Sequence, residues 1–388
     1  MFSWLKKRAD SLVKPLRIYI RTKRGDLGDD VIAGDNSGTG ESFIWYKDLE
    51  RHCFGDLSFA VVRGNEVIED NSQVEVGEDA VFVGVYDGHG GTQASRFVAD
   101  HLFNHFIRIS GGNSGASEDI LRSAFAATEE AFLTRVGIGK QVDPLIAAAG
   151  SCCLVGLISG GMLYIANLGD SRAVIGSQVR FNKIVAEQLN EEHNARFEKV
   201  RQELRAQNPD DSQIVVLSNG VWRVKGICQV SRAIGDAFLK HEEFSLNGYS
   251  NPKYYIPERL RRPALSAEPS ITTRVLRPND KFVIFASDGL WEYLTNKQAV
   301  KIVHKYPRDG IARRLAKTAL NLAAKRNEMT YERLRRVEGQ YKRALHDDIS
   351  VVVLFIDHDL LQRPDPASQV SMKSFDNFIV PSGFCNLR

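Results

Sequence analysis

The stretch Val81-Phe82-Val83-Gly84-Val85-Tyr86-Asp87-Gly88-His89-Gly90-Gly91 decides how this chain is to be understood. Residues 81–86 are almost wholly apolar and β-branched or aromatic, the composition of a short strand buried on both faces. The strand runs into a carboxylate and an imidazole set among glycines. Glycine lacks a Cβ, so this backbone can adopt positive φ and approach a ligand closely, leaving a carbonyl between Asp87 and His89 free to bind a metal. Taken alone, Asp-Gly is equally a hairpin turn. The remaining sequence has to choose between the two.

Working outward, Ser58–Val62 is a strand candidate, followed by Arg63-Gly64-Asn65 and then Glu69-Asp70. Residues 92–108 place Ala94, Phe97, Val98, His101, Leu102 and His105 at helical spacing, and 117–135 form a second amphipathic helix. Ser151–Ile158, Met162–Asn167 and Arg172–Ile175 are closely spaced strands whose short glycine-bearing turns predict antiparallel pairing. Residues 193–207 are polar-helical, and 193–262 reads as an insertion over the core. Lys281–Ala286 is another buried strand, ending in Ser287-Asp288-Gly289. Helices are expected at 297–305, 309–326 and 331–343, the last strongly basic with a solvated face. Ile349–Ile356 closes the pattern, and the tail from Asp357 shows no periodicity.

Composition is that of a globular protein, with 43% hydrophobic and 26% charged residues in 388, enough for a sizeable core. A net charge of +3 gives no case for nucleic acid as a partner. The five cysteines fit no CxxC or zinc spacing and read as reduced thiols, two of them buried side by side. No apolar run spans a membrane, and the N-terminus lacks a secretory signal.

Residues 1–24 carry Lys6, Lys7, Arg8, Lys14, Arg17, Arg21, Lys23 and Arg24 against Asp10, with Leu5, Ala9, Leu12, Val13 and Leu16 on one helical face. Such a segment can lie on an anionic membrane surface, pack on the domain, or stay solvated. Gly25–Ser42 reads as a linker. The expected organisation is therefore a basic amphipathic segment and linker over 1–54, a catalytic domain over 55–357, and a tail over 358–388. Cys385 lies fourth from the end, but Asn and Arg after it suit prenylation poorly.

Acids recur at strand ends: Asp87, Asp170, Asp288 and Asp347, with Glu69-Asp70 after another. Charge beside a core is costly unless compensated, so these ends are expected to converge on a cation. Hard oxygen donors, one histidine and no cysteine point to Mg²⁺ or Mn²⁺ rather than zinc. Two such ions form a device for hydrolysing phosphate esters.

Val85–Gly91, Leu168-Gly-Asp-Ser-Arg172, Val230-Ser-Arg-Ala-Ile-Gly-Asp236, Ala286-Ser-Asp-Gly-Leu-Trp-Glu292 and His346-Asp-Asp-Ile-Ser-Val351 occur in this order. With Glu69-Asp70 they resemble the motif set of the metal-dependent type 2C serine/threonine protein phosphatases (the PPM family), over roughly residues 55–357. The resemblance implies an α+β fold, an α-β-β-α sandwich of two antiparallel sheets flanked by helices. It also implies hydrolysis of phosphoserine and phosphothreonine by a water bridging two Mg²⁺ or Mn²⁺ ions. By that carry-over Asp87 bridges both ions, the Gly88 carbonyl binds one, and Asp288 and Asp347 complete the other. Glu69 and Asp70 act through metal-bound waters, Asp170 and Glu292 match a third, weaker metal site, and His89 is the general acid.

Several positions keep a second reading. Asp170 can turn a hairpin, Glu292 can sit at a helix N-terminus, and Asp348 can replace Asp347, since neighbours on an extended chain point opposite ways. Asp236 and Arg232 are read as bracing the insertion. The family's phosphate-gripping arginine is Asn65 here, which cannot make a bidentate guanidinium contact. Arg63, on the same strand face, is the candidate substitute for binding substrate.

Trp45-Tyr-Lys-Asp-Leu49, Val200-Arg-Gln-Glu-Leu204, Trp222-Arg-Val-Lys-Gly226 and Gly310-Ile-Ala-Arg-Arg314 resemble the plant clade D branch. That branch implies phosphoprotein substrates including the plasma-membrane proton pump, small auxin-induced inhibitory proteins as regulators, and a cytoplasmic or nuclear location with peripheral contact at the plasma membrane. Two competing readings are a phosphoprotein-binding pseudophosphatase or scaffold, supported by Asn65, and a metal-dependent nuclease, opposed by the near-neutral charge. No cysteine has an arginine six positions on, which speaks against a cysteine-dependent phosphatase.

Overall fold

The structure, a computed structural model, describes residues 43–384 except 112–115, 181–182, 249–250, 257–259, 365–368 and 376–379. The basic segment 1–24, the linker 25–42 and Cys385 lie outside the described residues. Ile44–Arg388 is one compact unit.

The apolar run around residue 81 is the strand Ala80–Tyr86, buried along its whole length. It can be buried on both faces because it lies inside a seven-stranded sheet. That sheet runs in the order Ser270–Val275, Met162–Leu168, Cys153–Ser159, Ala80–Tyr86, Asn71–Val76, Val370–Lys373 and Val380–Pro381. A six-stranded sheet packs against it, ordered Ile44–His52, Gly55–Val62, Ile349–Phe355, Asp280–Ala286, Arg172–Arg180 and Lys183–Gln188. Neighbouring strands in both sheets are antiparallel. Between the sheets lies an apolar layer that includes Phe59, Val83, Leu154, Ile165, Val283, Phe285 and Val352. Outside the seven-stranded sheet, Gln93–Ile109 and Glu118–Gly139 bury Phe97, Phe103, Phe106, Phe125 and Phe132 in a second core. The helix Ile311–Arg326 covers the other sheet and is tied to it where the Ala312 N–H donates to Ser58 Oγ (3.1 Å). Two antiparallel sheets flanked by helices are what the motif resemblance implied.

The sequence reading placed Arg172–Ile175 beside Met162–Asn167 in one antiparallel run. The structure separates them. Met162–Leu168 pairs with Cys153–Ser159, whereas Arg172–Arg180 pairs with Asp280–Ala286 in the other sheet. The chain crosses between sheets at Gly169, whose φ of +91° is in the left-handed region. A Cβ there would run into the Cys152 side chain, so glycine is required twice over.

Other departures are local. The sheet begins at Ile44, inside the segment expected to be linker, and the tail contributes Val370–Lys373 to the sheet edge beside Asn71–Val76. The helix expected at 331–343 is two short helices, Tyr331–Arg335 and Gly339–Lys342, and Lys342 is buried rather than solvated. Among the described residues of the 193–262 insertion only Glu198–Gln207 is α-helical, followed by the hairpin Val215–Ser218 with Val221–Val224. Among the described residues no helix is long and apolar enough to cross a membrane.

Where the first two strands turn, His52 is fully buried. Its Nδ1 accepts from the Phe54 N–H (3.2 Å), and Nε2–H donates to the carbonyls of Asp56 and Phe355 (3.1 Å each). That pattern needs the neutral ring, and burial lowers its pKa to about 4. The unfolded chain therefore takes up the proton first as pH falls. This contribution to stability is whole above pH 6.5 and is lost as pH drops toward about 4. Burial likewise lowers His193 to about 3 and His346 to about 4, which acts in the same direction. Urea unfolding across this window is expected to show a loss on the order of 3 kcal/mol from His52 alone. The decline should be shallower in His52→Gln, and a profile flat with pH in both proteins would contradict the assignment.

Candidate active site

The carboxylates singled out by the sequence arrive from both sheets. Asp87 follows Ala80–Tyr86 in the seven-stranded sheet, and its carbonyl accepts from the Cys152 N–H (2.8 Å). Asp288 follows Asp280–Ala286 in the six-stranded sheet and opens the one-turn helix Asp288–Trp291. Asp170 lies in the crossing between the sheets and turns no hairpin. Its Oδ1 accepts from Cys152 Sγ (3.5 Å) and its Oδ2 from Asn194 Nδ2 (2.6 Å). Carboxylate oxygens of Asp87, Asp170 and Asp288 lie within 4.8 Å of one another.

Three acids this close repel, and with Asp170 buried and Asp87 and Asp288 half-buried, little water is left to screen them. Burial first, then Asp288, Asp70 and Asp170, raise Asp87 well above the usual carboxylate range. Asp288 is raised well above it by burial, then by Asp170, Glu292 and Asp70. Asp70, whose Oδ2 accepts from Ser287 Oγ (2.8 Å), is raised to about 7 by burial and Asp348. Glu292 follows the one-turn helix and is raised chiefly by burial; the next helix is capped by Thr295, which excludes the reading of Glu292 as its N-terminal acid. One oxygen of Asp288, Oδ1, is buried with no hydrogen-bond partner among the described residues. An orphaned oxygen in a ring of repelling carboxylates fits a divalent cation with oxygen ligands. Zinc fits less well: the adjacent Cys152 thiol is pushed far up by burial and offers no thiolate.

The neighbours Asp347 and Asp348, just before the strand Ile349–Phe355, have different partners. Both oxygens of Asp348 are occupied by the loop before Glu69: Oδ1 accepts from the N–H groups of Gly64 (2.6 Å) and Asn65 (2.9 Å), Oδ2 from Glu69 N–H (2.8 Å) and Asn65 Nδ2 (2.9 Å). Asp347 pairs instead with Arg343. It lies at the same end of the sandwich but outside the three-acid group. Glu69 Oε1 accepts from the Gly91 N–H (2.9 Å), tying the glycine loop to the Glu-Asp pair. Gly88 pairs with Ser151 and must be glycine, because a Cβ would strike the Glu69 carbonyl and Ser95 Oγ.

His89 donates through Nε2–H to Asp236 Oδ2 (2.8 Å), and Asp236 is buried. The sequence reading assigned Asp236 to bracing the insertion; the structure places it on the imidazole. The contact is organised by a small sheet in which Gly150–Ser151 pairs with Gly88–His89 on one side and Ile234–Gly235 on the other. Burial lowers the His89 pKa, but the Asp236 carboxylate, then Cys228 and Cys152, more than reverse this, so it stands well above 6.5. His89 is thus a proton-bearing group at the edge of the acidic cluster, with 30% of its side chain exposed. Nothing in Ala233-Ile-Gly-Asp236 marks this role locally; the signal is Asp236 itself, a non-glycine residue at φ +50°.

The family model for protein phosphatase 2C matches residues 61–329. The chain belongs to the protein phosphatase 2C family. It is 58% identical to probable protein phosphatase 2C 68 of Arabidopsis thaliana, covering 99% of each chain, and 55% identical to probable protein phosphatase 2C 25 of Oryza sativa subsp. japonica, covering 98% of each. Among solved structures the fold is similar to a serine-threonine phosphatase 2C from Toxoplasma gondii, with a TM-score of 0.58 at 18% identity over 81% of this chain and 99% of that one. It is also similar to a C. elegans sex determining protein, with a TM-score of 0.54 at 20% identity over 82% and 66%. This plant-type protein phosphatase is a hydrolase of a metal-dependent family, and its substrates are phosphoproteins.

Gly150 sits beneath the His89–Asp236 pair, where a Cβ would collide with both side chains. Gly150→Ala is therefore expected to part them and lower phosphopeptide turnover by about tenfold or more, with the circular dichroism spectrum retained. Wild-type turnover in this variant would contradict the geometry.

Proposed function

We propose that the protein hydrolyses phosphoserine and phosphothreonine at a centre of two Mg²⁺ or Mn²⁺ ions. Asp87, Asp288 and Asp347, with the Gly88 carbonyl, would hold the ions, Glu69 and Asp70 would bind their waters, and Asp170 and Glu292 would serve a third, weaker position. Bound there, the ions would lower the pKa of a water and neutralise charge on the phosphoryl oxygens. The observation that carries this reading is the three-acid group with its orphaned Asp288 oxygen.

The chain's own residues do the rest. His89, kept protonated by Asp236, protonates the departing serine or threonine oxygen, a poor leaving group without a proton. Arg63, beside Lys342, binds the substrate phosphate. Asn65 does not, because its amide is spent on Asp348 (2.9 Å) and Glu69 (3.5 Å). The clade D resemblance extends this to the plasma-membrane proton pump as a substrate and small auxin-induced proteins as inhibitors. The corresponding location is cytoplasm or nucleus, with residues 1–24 touching the plasma membrane.

Phosphate release from a phosphopeptide with Mn²⁺ is expected in the wild type and should fall by about a hundredfold or more in Asp87→Asn. Binding without release in the wild type would instead support a scaffold. Arg63→Ala should raise the phosphopeptide KM by about tenfold, and an unchanged KM would remove Arg63 from the site. Exchanging Lys6, Lys7 and Arg8 for glutamine should reduce co-sedimentation with anionic vesicles; equal sedimentation would count against membrane contact.

A further inference from the structure

The short helix Gly339–Lys342 delivers two consecutive cations to the acidic end of the sandwich. Lys342 is buried, and burial, then Arg63, lower its pKa. Arg343 differs. Its guanidinium pairs with Asp347, yet 52% of its side chain remains exposed, so a macromolecular substrate can reach it. Its charge also acts against the burial that raises Asp70, Asp288 and Glu292. Arg326 and Arg196 act with it on Glu292.

A guanidinium fork matches phosphate as well as it matches carboxylate, because both present paired oxygens. Asp347 is the carboxylate that a bound ion would claim as ligand. Were Asp347 to serve as a metal ligand, the Arg343 fork would be without its anion, with the charge of Lys342 buried beside it. A phosphoryl group entering there brings the oxygens that the fork has lost. Asn65, turned inward onto Asp348, leaves room for a second cation beside Arg63 in that task.

We infer that Arg343 grips the substrate phosphate, exchanging the Asp347 carboxylate for the phosphoryl oxygens. This rests on the phosphatase reading above. Calorimetric titration of the Mn²⁺-loaded full chain with inorganic phosphate tests it directly. Arg343→Ala is expected to weaken phosphate binding by about tenfold or more, with Arg343→Lys intermediate. The phosphopeptide KM should rise by a similar factor while kcat changes less. Mn²⁺ affinity, titrated separately, should hold or tighten, since a competitor for Asp347 has been removed. Unchanged phosphate affinity in Arg343→Ala, or Mn²⁺ affinity falling together with phosphate affinity, overturns the inference, the latter because it would make Arg343 a brace for the carboxylates. Failure is separable from that of the underlying reading: a wild type that turns over phosphopeptide while Arg343→Ala binds phosphate normally sinks only the role of Arg343, whereas a wild type without turnover sinks both.

Discussion

Mutual repulsion among Asp87, Asp170 and Asp288 is the constraint to which the rest of this structure answers. Buried carboxylates do not gather unaided, since each one raises the cost of ionising the next. Here they are gathered by backbone. Two buried strands end beside each other from opposite sheets, and the crossing chain between the sheets adds the third acid. Around them the neutral donors are already committed: Ser287 to Asp70, Asn194 to Asp170, and the 64–69 loop to Asp348. Among the described residues, Asp288 Oδ1 is buried with no hydrogen-bond partner.

The His89–Asp236 pair depends on a different part of the chain. His89 leaves the glycine loop on one side of Gly150–Ser151, and Asp236 leaves Ile234–Gly235 on the other. Asp236 is itself anchored from behind. The Gly235 N–H donates to Glu129 Oε2 (2.8 Å), and Lys240 Nζ pairs with Glu129 Oε1 (2.6 Å). The ionised state of one imidazole therefore draws on the insertion and on the helix Glu118–Gly139, as well as on the loop that carries it.

Much of this was legible in the sequence, for physical reasons that can be named. Ala80–Tyr86 and Asp280–Ala286 announce themselves because central strands buried on both faces read as continuous apolar runs. The acids at their ends are conspicuous because charge beside such a run is expensive. Motif order favoured Asp347 over Asp348, and the two neighbours have different partners, Arg343 and the 64–69 loop. Less legible was the destination of Arg172–Arg180, because periodicity reports which face a strand buries and not which sheet it joins. Asn71–Val76 gave little signal because its buried residues include Ser72, Gln73 and Glu75; Glu75 is satisfied by Ser371 and Ser382, which lie far along the chain. Lys183–Gln188 and Ser270–Val275 are exposed edges with no apolar pattern to detect. The partners of His89 and Asp347 were hidden because hydrogen bonds across such separations leave no local trace.

The crossing at Gly169 carries one more implication. Because the acids hang from two separate sheets, the width of the apolar layer between those sheets is also the aperture of the ion-binding cradle. Side chains such as Phe285, which meets Gly156 across that layer, act as spacers for a chelator they never touch. The spacing of the three acids is thereby written partly into the hydrophobic interior, so that swelling or shrinking the filling of the sandwich shifts them without altering any one of them.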